Sequence, residues 1–435
     1  MLSLSSAKKN FTIILLVLLY VSATFPMGMA MVGHSLNRPL LVILLILAMI
    51  NYFRVRVNDP LPWFIVAMMA YVLLTFSVVT FKNGGMDEDT AVRVLSNIIP
   101  FLICFVFIDY YSRAPDTKMI WVIVFFAMLV IIIRSITAIN AEIIFPNIAR
   151  NSATGMYADD PEFGLIGAGS FSFINGLVFL VLPILYVVRN KANIVSKIVL
   201  IIVGALSLAA IIYTAWGTAL ILWGCALLIG LSPKKKQYIP LYTFVLLLAM
   251  VVAVNSDFVF QSVKTIFDDN PTLYDKIIDI QASLQEGESK GQVSMRGSLY
   301  FQSINSFLSN PVLGDINSEA GGHAFWFDHL ASFGIVGTLP LLAAYFLLVF
   351  KSSRMASYNY RPYHYINSLI LLLFGCVKNV VGYEFMLFLC IIGPLITCLA
   401  GSAAINKGLC FHTTGRVTAT LRPVYVSKSG PEQNT

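Results

Sequence analysis

The stretch LPWFIVAMMAYVLLTFSVVT, residues 61–80, decides the fold class. It contains no charged residue, and its apolar and polar positions do not alternate. A helix of this length covers the roughly 30 Å of hydrocarbon in a bilayer. The missing alternation argues against a strand of a membrane barrel. This stretch therefore predicts a transmembrane helix.

Apolar runs of similar length recur along the whole chain. The 435 residues are 58% hydrophobic and 12% charged, whereas soluble domains average about 25% charged residues. We therefore predict an all-α, polytopic integral membrane protein with about twelve transmembrane helices. The predicted spans are residues 11–31, 39–53, 61–80, 91–109, 119–138, 164–188, 195–213, 216–231, 238–255, 324–350, 365–381 and 383–401.

The charges predict the orientation of these spans. With the N-terminus in the cytoplasm, 19 of the 29 basic residues but only 4 of the 22 acidic residues lie on the cytoplasmic side. The opposite orientation inverts this distribution and violates the positive-inside rule. We therefore expect both termini to be cytoplasmic. The net charge of +7 then reflects topology, and we expect no nucleic-acid partner.

The predicted spans divide the chain into four parts. Residues 1–255 form a membrane domain of about nine spans, residues 256–323 an extracytoplasmic loop, residues 324–401 the C-terminal spans, and residues 402–435 a cytoplasmic tail. Two helices are predicted inside the loop. The first begins at Asp269-Asn270-Pro271, and the second runs from about residue 293 to 308 and stops at Asn310-Pro311. A flexible polar connector is predicted over residues 314–322.

Three residues outside the membrane are candidates for chemistry. Arg296 falls in the first turn of the second loop helix, where a guanidinium and free backbone N–H groups together suit a phosphate. Arg150 and His323 each stand where a loop meets a span. The simpler interpretations are a solvated arginine for Arg296, an interfacial anchor for Arg150 and a satisfied interfacial histidine for His323.

Further candidates surround the start of the tenth predicted span. Phe325, Trp326 and Phe327 suit stacking on sugars, although an interfacial aromatic belt explains them equally well. His329 lies inside the span, where ionisable groups are costly and often functional. It follows Asp328, and such a pair can also simply satisfy itself. The acidic turn of Asp159, Asp160 and Glu162 has the ligand chemistry of a metal site, but a solvated turn is the better interpretation.

A transporter is the main rival from another functional class. We identify no charged residue deep in the first nine spans, where such a residue would mark a substrate path. Carriers of this size often have a long central cytoplasmic loop between related halves, whereas the loop at 189–194 is short. The sequence contains no P-loop and no GxGxxG motif, which argues against nucleotide-driven transport.

Two stretches carry a resemblance to a known family. Arg150–Gly164, RNSATGMYADDPEFG, and later Arg296, Asn310–Gly314 (NPVLG), His323 and Phe333–Gly337 (FGIVG) resemble signatures of the O-antigen ligase and O-antigen polymerase superfamily. The resemblance covers roughly residues 140–340 by motif and the remainder by hydropathy. Three positions depart from the family pattern, namely Ala324, Glu162 and Trp216.

The resemblance implies a glycosyltransferase with a GT-C-like membrane fold. It implies catalysis by His323 and Arg296, and binding of pyrophosphate or glycan by Arg150, Arg296, Trp326 and His329. No metal and no other cofactor is expected. The expected partners are an undecaprenyl-pyrophosphate-linked glycan, membrane lipid and a chain-length regulator.

We expect a polysaccharide polymerase of the bacterial inner membrane that joins lipid-linked repeat units. An O-antigen ligase that transfers glycan to the lipid A-core is the close alternative. A flippase for lipid-linked glycans or another transporter is the more distant one.

Overall fold

The structure is a computed structural model, and it describes most of the predicted spans. The described residues are 2–24, 43–44, 46–47, 61–83, 88–113, 117–145, 148, 171–190, 192–214, 216–231, 292–316, 324–380 and 382–398. All secondary structure among them is helical. Arg150, His323, the acidic turn at 159–162, the loop helix beginning at Asp269 and the ninth predicted span lie outside these residues.

Eleven helices build the described part. They are α1 (Leu2–Thr24), α2 (Leu61–Asn83), α3 (Glu88–Arg113), α4 (Thr117–Ile144), α5 (Phe171–Arg189), α6 (Ile194–Tyr213), α7 (Gly217–Leu231), α8 (Gln292–Ser309), α9 (Phe325–Met355), α10 (Arg361–Val377) and α11 (Tyr383–Cys398). A 3-10 turn at Leu177–Leu180 interrupts α5, and a π-helical turn at Phe388–Ile392 interrupts α11.

Five of these helices, α2, α4, α5, α6 and α9, are long and apolar enough to cross a membrane. Shorter apolar helices occur within α1, α3, α7 and α11. The helices fall on ten of the twelve predicted spans, whereas span 39–53 is represented by four residues only. The chain is therefore a helical protein that is embedded in a membrane.

Helix α11 lies in the centre of the bundle. Every residue from Phe385 to Ile392 is buried. Helix α11 contacts α3, α5 and α9. Helix α6 is the opposite case, because its face with Ile198, Ile201 and Ile202 is exposed. A helix that is apolar and exposed on one face suits contact with lipid. The core is thus a central helix inside a ring of spans.

One end of the bundle gathers the polar contacts described below, and we call it the site end. Helices α2 and α4 end there, and α3, α5, α9 and α11 begin there. Arg134 of α4 contacts the carbonyl of Thr24 and the carboxylate of Glu384, and Asn97 of α3 contacts His329 of α9. These contacts fix the relative height of helices that are far apart in sequence.

Helix α9 is sharply bent at Gly334, where the backbone leaves the helical region with φ 61° and ψ −166°. In a straight helix Trp326 and Tyr345 would be about 28 Å apart, yet their ring centroids are 6.3 Å apart. The first segment of α9 therefore folds back toward the second. The predicted tenth span is not one straight helix.

The fifth predicted span contradicts one sequence-based expectation. We expected no charged residue deep in the first nine spans. However, Arg134 lies inside α4 and is only 3% exposed. The apolar run from Ile120 to Ile133 hides this arginine in a hydropathy profile, because one charge barely lowers the mean. That argument against a carrier is therefore wrong.

Candidate functional site

Two sequence signatures, Asn310–Gly314 and Phe333–Gly337, interlock through their backbones. The N–H of Ile335 donates to Pro311 O (2.9 Å) and the N–H of Val336 donates to Val312 O (3.1 Å). In the opposite direction, the N–H of Asp315 donates to Ala331 O (2.6 Å). These bonds satisfy the groups that the bend in α9 removes from the helix. The turn after α8 is thereby fixed to the bend in α9.

Two glycines make this interlock possible. Gly314 has φ 69° and Gly334 has φ 61°, a left-handed region that side chains disfavour. A Cβ on Gly314 would stand 2.4 Å from Gly334 N, and a Cβ on Gly334 would stand 2.3 Å from Val312 O. Both positions require glycine for conformation and for space. Gly314 begins the connector predicted as flexible, but its N–H is bonded to Asn310 O.

Asp328 ties α8 to the start of α9. One carboxylate oxygen accepts from Ser303 Oγ at 2.6 Å, and the other accepts from Ala324 N–H at 2.9 Å. Arg296 belongs to the first turns of the same α8, as the sequence predicted. His323, which directly precedes Ala324, lies outside the described residues. A single side chain thus connects the helix of Arg296 with the neighbour of His323.

His329 is buried between α2, α3 and α9. Its Nε2 lies 3.0 Å from Tyr71 Oη and 3.2 Å from Asn97 Nδ2. The Asn97 amide N–H can only donate, so a neutral imidazole with its proton on Nδ1 fits this arrangement. Asp328 and His329 bind different partners, because Asp328 accepts from Ser303 and Ala324, whereas His329 contacts Tyr71 and Asn97. His329 therefore joins three helices beneath the α8–α9 interlock.

A small cavity lies beside Phe325, whose ring packs against that of His329. Its lining residues are Asn97, Pro100, Phe101, Phe325, Trp326, Tyr345, Leu371, Val380, Gly382 and Met386. Trp326 is buried, and its Nε1 has no hydrogen-bond partner among the described residues. That nitrogen is close to Gly375, where an added Cβ would stand 2.5 Å away. The lining of the cavity is mostly apolar.

A buried ion pair borders the cavity on the side of Gly382. Arg134 Nη1 lies 2.7 Å from Glu384 Oε1, and both side chains are almost fully buried. Ser172 Oγ donates to the other carboxylate oxygen at 2.8 Å. The guanidinium also stacks over the Phe173 ring, 3.9 Å from its centroid. Helices α4, α5 and α11 are joined by charge at the site end.

The predicted site residues are only partly described. Trp326 and His329 lie within one helical turn of each other, at the cavity and beneath the interlock. The backbone of Arg296 lies in α8, whereas Arg150 and His323 fall outside the described residues. Among the described residues, no three His, Cys, Asp or Glu side chains come together as a metal site would require.

Sequence reasoning missed Tyr71, Asn97, Arg134, Ser172 and Glu384. A usable signal existed for Arg134, since a lone arginine inside an apolar run is costly unless it is paired. No comparable signal existed for Tyr71 and Asn97. Both residues are ordinary in a span until the fold brings them to His329.

No family model and no curated protein matches this chain.

Proposed function

We propose that this protein is a glycosyltransferase of the bacterial inner membrane, a polysaccharide polymerase that joins undecaprenyl-pyrophosphate-linked repeat units. We further propose twelve spans, a GT-C-like architecture and cytoplasmic termini. One observation carries the proposal. The stretches Asn310–Gly314 and Phe333–Gly337 resemble terminal signatures of the polymerase and ligase superfamily, and they dock on each other through backbone hydrogen bonds.

The docking brings the helix of Arg296 to α9, which follows His323, and it supports a shared role for these two residues. The family resemblance adds Arg150 to the proposed reaction. The pyrophosphate leaves with growing negative charge, which the fork-shaped guanidinium groups of Arg150 and Arg296 suit. The acceptor hydroxyl attacks the anomeric carbon of the donor glycan. His323 orients this hydroxyl or takes its proton, because an imidazole titrates near neutral pH.

Trp326 and His329 have a more limited role in this proposal than the resemblance implied. Trp326 lines an apolar cavity and keeps an indole N–H available for a ligand oxygen. The Nε2 of His329 already has Tyr71 and Asn97 as partners. We therefore propose that His329 supports the site from below and that Trp326 faces the ligand.

Substitution of the arginines tests the mechanism. Arg296→Ala and Arg150→Ala should each abolish long-chain glycan, because each removes a cation from the leaving group. Glycan gels of a deletion strain that carries each variant measure this effect, and immunoblots of the membrane fraction check protein level. Lys264→Ala, which changes another basic residue of the same predicted loop, serves as the control and should leave the glycan unchanged. Full-length polymer from both arginine variants would contradict the pyrophosphate assignment.

The deletion strain alone separates the candidate functions. Loss of a polymerase leaves single repeat units on the lipid core, because ligation still proceeds. Loss of a ligase leaves finished polymer on the carrier lipid. An unchanged surface glycan argues for a protein outside this pathway, such as a transporter.

A further inference from the structure

The turn at the end of α8 carries an exposed apolar patch that the proposed reaction does not explain. Its members are Leu308, Val312 and Leu313, which are 64%, 58% and 37% exposed. The patch continues onto α9, where Ile335 and Leu339 are also exposed. Exposed side chains of this size and number indicate an interaction surface.

The hydrogen bonds to α9 give the depth of this patch in the membrane. Val312 O accepts from the N–H of Val336 at 3.1 Å, so the depths of these two atoms in the membrane differ by no more than this distance. The next charge along α9 is Lys351, fifteen residues later and about 22 Å away along the helix. If Lys351 marks one boundary of roughly 30 Å of hydrocarbon, Val336 lies about 8 Å inside the other boundary.

Helix α2 gives an independent measure of the same depth. Gly337 abuts Thr75, since a Cβ on this glycine would lie 3.4 Å from Thr75 Cγ2. The apolar window of α2 ends at Thr80, five residues or about 8 Å beyond Thr75. Both measures place the turn at Asn310–Gly314 below the surface of the bilayer.

We infer that the last turn of α8 and the turn at Asn310–Gly314 insert into the bilayer, with Leu308, Val312 and Leu313 in contact with lipid hydrocarbon. Non-helical backbone is tolerated at this depth only where its polar groups are satisfied. The bonds to α9 satisfy the carbonyls of Pro311 and Val312 and the N–H of Asp315. Within the turn, the N–H of Gly314 donates to Asn310 O, and Ser309 Oγ donates back to Asn305 O. Lipid is the occupant because Ile335 and Leu339, beside the patch, belong to a membrane-crossing helix.

The insertion connects lipid contact with the proposed site but does not depend on it. Helix α8 carries Arg296 near its first turn and Leu308 in its last, about 18 Å apart along the axis. Ser303, between them, holds Asp328. An interfacial helix of this kind places the site at the boundary where the headgroup of any membrane lipid lies.

Nitroxide labels on single cysteines test the inference in liposomes of phosphatidylethanolamine and phosphatidylglycerol. The background replaces Cys225, Cys376 and Cys410 with serine and keeps Cys104, Cys390 and Cys398, which are buried and do not compete for the label. Labels at Leu308→Cys and Val312→Cys should collide readily with oxygen and poorly with a water-soluble nickel chelate. Leu339→Cys is the control for lipid, and Asn193→Cys is the control for water.

Two outcomes would overturn the inference. Accessibility to nickel like that of the Asn193 label would place the patch in water. Low accessibility to both oxygen and nickel would mean that protein covers the patch. If one labelled variant fails to elute as a monodisperse protein, the other site and Leu313→Cys still decide the question. None of these outcomes depends on glycan synthesis, so the inference fails or stands apart from the proposed function.

Discussion

Gly334 has the most restrictive position in the described site. Its φ of 61° and ψ of −166° cost a side-chain-bearing residue about 1–3 kcal/mol, and its missing Cβ leaves room for Val312 O. Gly334→Ala should therefore separate the turn after α8 from the bend in α9. We expect a lower melting temperature in detergent and a loss of long-chain glycan. Size-exclusion chromatography after heating measures the first effect, and glycan gels measure the second.

Gly224→Ala is the matched control for this substitution. Gly224 also lies inside a helix, α7, but a Cβ there meets no atom within 4 Å. Alanine is the better helix former, so its melting temperature should stay the same or rise. Equal behaviour of the two alanine variants would show that the α8–α9 interlock is not needed for stability.

At the residue scale, sequence predicts local features better than distant pairs. The stop of α8 at Asn310-Pro311 is correct because proline and the residue before it disfavour helix. The buried partners of His329 were not predictable. Tyr71 and Asn97 are 258 and 232 residues away from it in the chain, and nothing in their local sequence marks them as partners.

At the scale of elements, the ion pair of Arg134 and Glu384 fixes α4 against α11. Two charges in an apolar interior are tolerated only as a pair. Removing one partner of such a pair lowers the free energy of unfolding by about 3–5 kcal/mol. Arg134→Gln and Glu384→Gln should each lower the melting temperature strongly. Ser172→Ala should have a smaller effect of about 1.5–3 kcal/mol, because it removes one hydrogen bond to the charged carboxylate.

The double variant Arg134→Met, Glu384→Met distinguishes charge pairing from packing. Replacing both charges with apolar residues of similar volume removes the unpaired charge, so stability should recover relative to either single variant. Melting curves of the unchanged protein, Arg134→Met, Glu384→Met and the double variant in the same detergent form a double-mutant cycle. Additive losses in that cycle would mean that the two charges do not interact.

The elements also show where hydropathy succeeds and where it fails. The boundaries of α2, α6 and α7 agree with prediction to within a few residues, because the apolar runs end at clear polar positions. The bend in α9 was invisible to hydropathy, since Phe325–Met355 is apolar on both sides of Gly334. The bend depends on the backbone conformation of one residue and on a turn that docks from outside the helix.

At the scale of the whole molecule, the choice between enzyme and carrier now depends on fewer observations. The buried Arg134 removes the expectation that the first spans hold no charge. Its guanidinium is paired with Glu384, which lies in the twelfth predicted span, and the pair crosses between distant parts of the chain. A paired charge that joins helices also has a structural explanation, so Arg134 by itself favours neither function.

Sidedness provides the sharpest test of the whole architecture. If α3 crosses the membrane, the loops at its two ends lie on opposite sides of it. The positive-inside rule places the loop at 84–87 outside and the loops at 114–116 and 190–193 inside.

A membrane-impermeant maleimide should therefore label Gly85→Cys and Ser318→Cys in intact spheroplasts. Ala114→Cys and Asn193→Cys should react only after permeabilisation. The reverse pattern would place the α8–α9 site in the cytoplasm, where a lipid-linked glycan on the outer face could not reach it, and the proposed polymerase would be excluded.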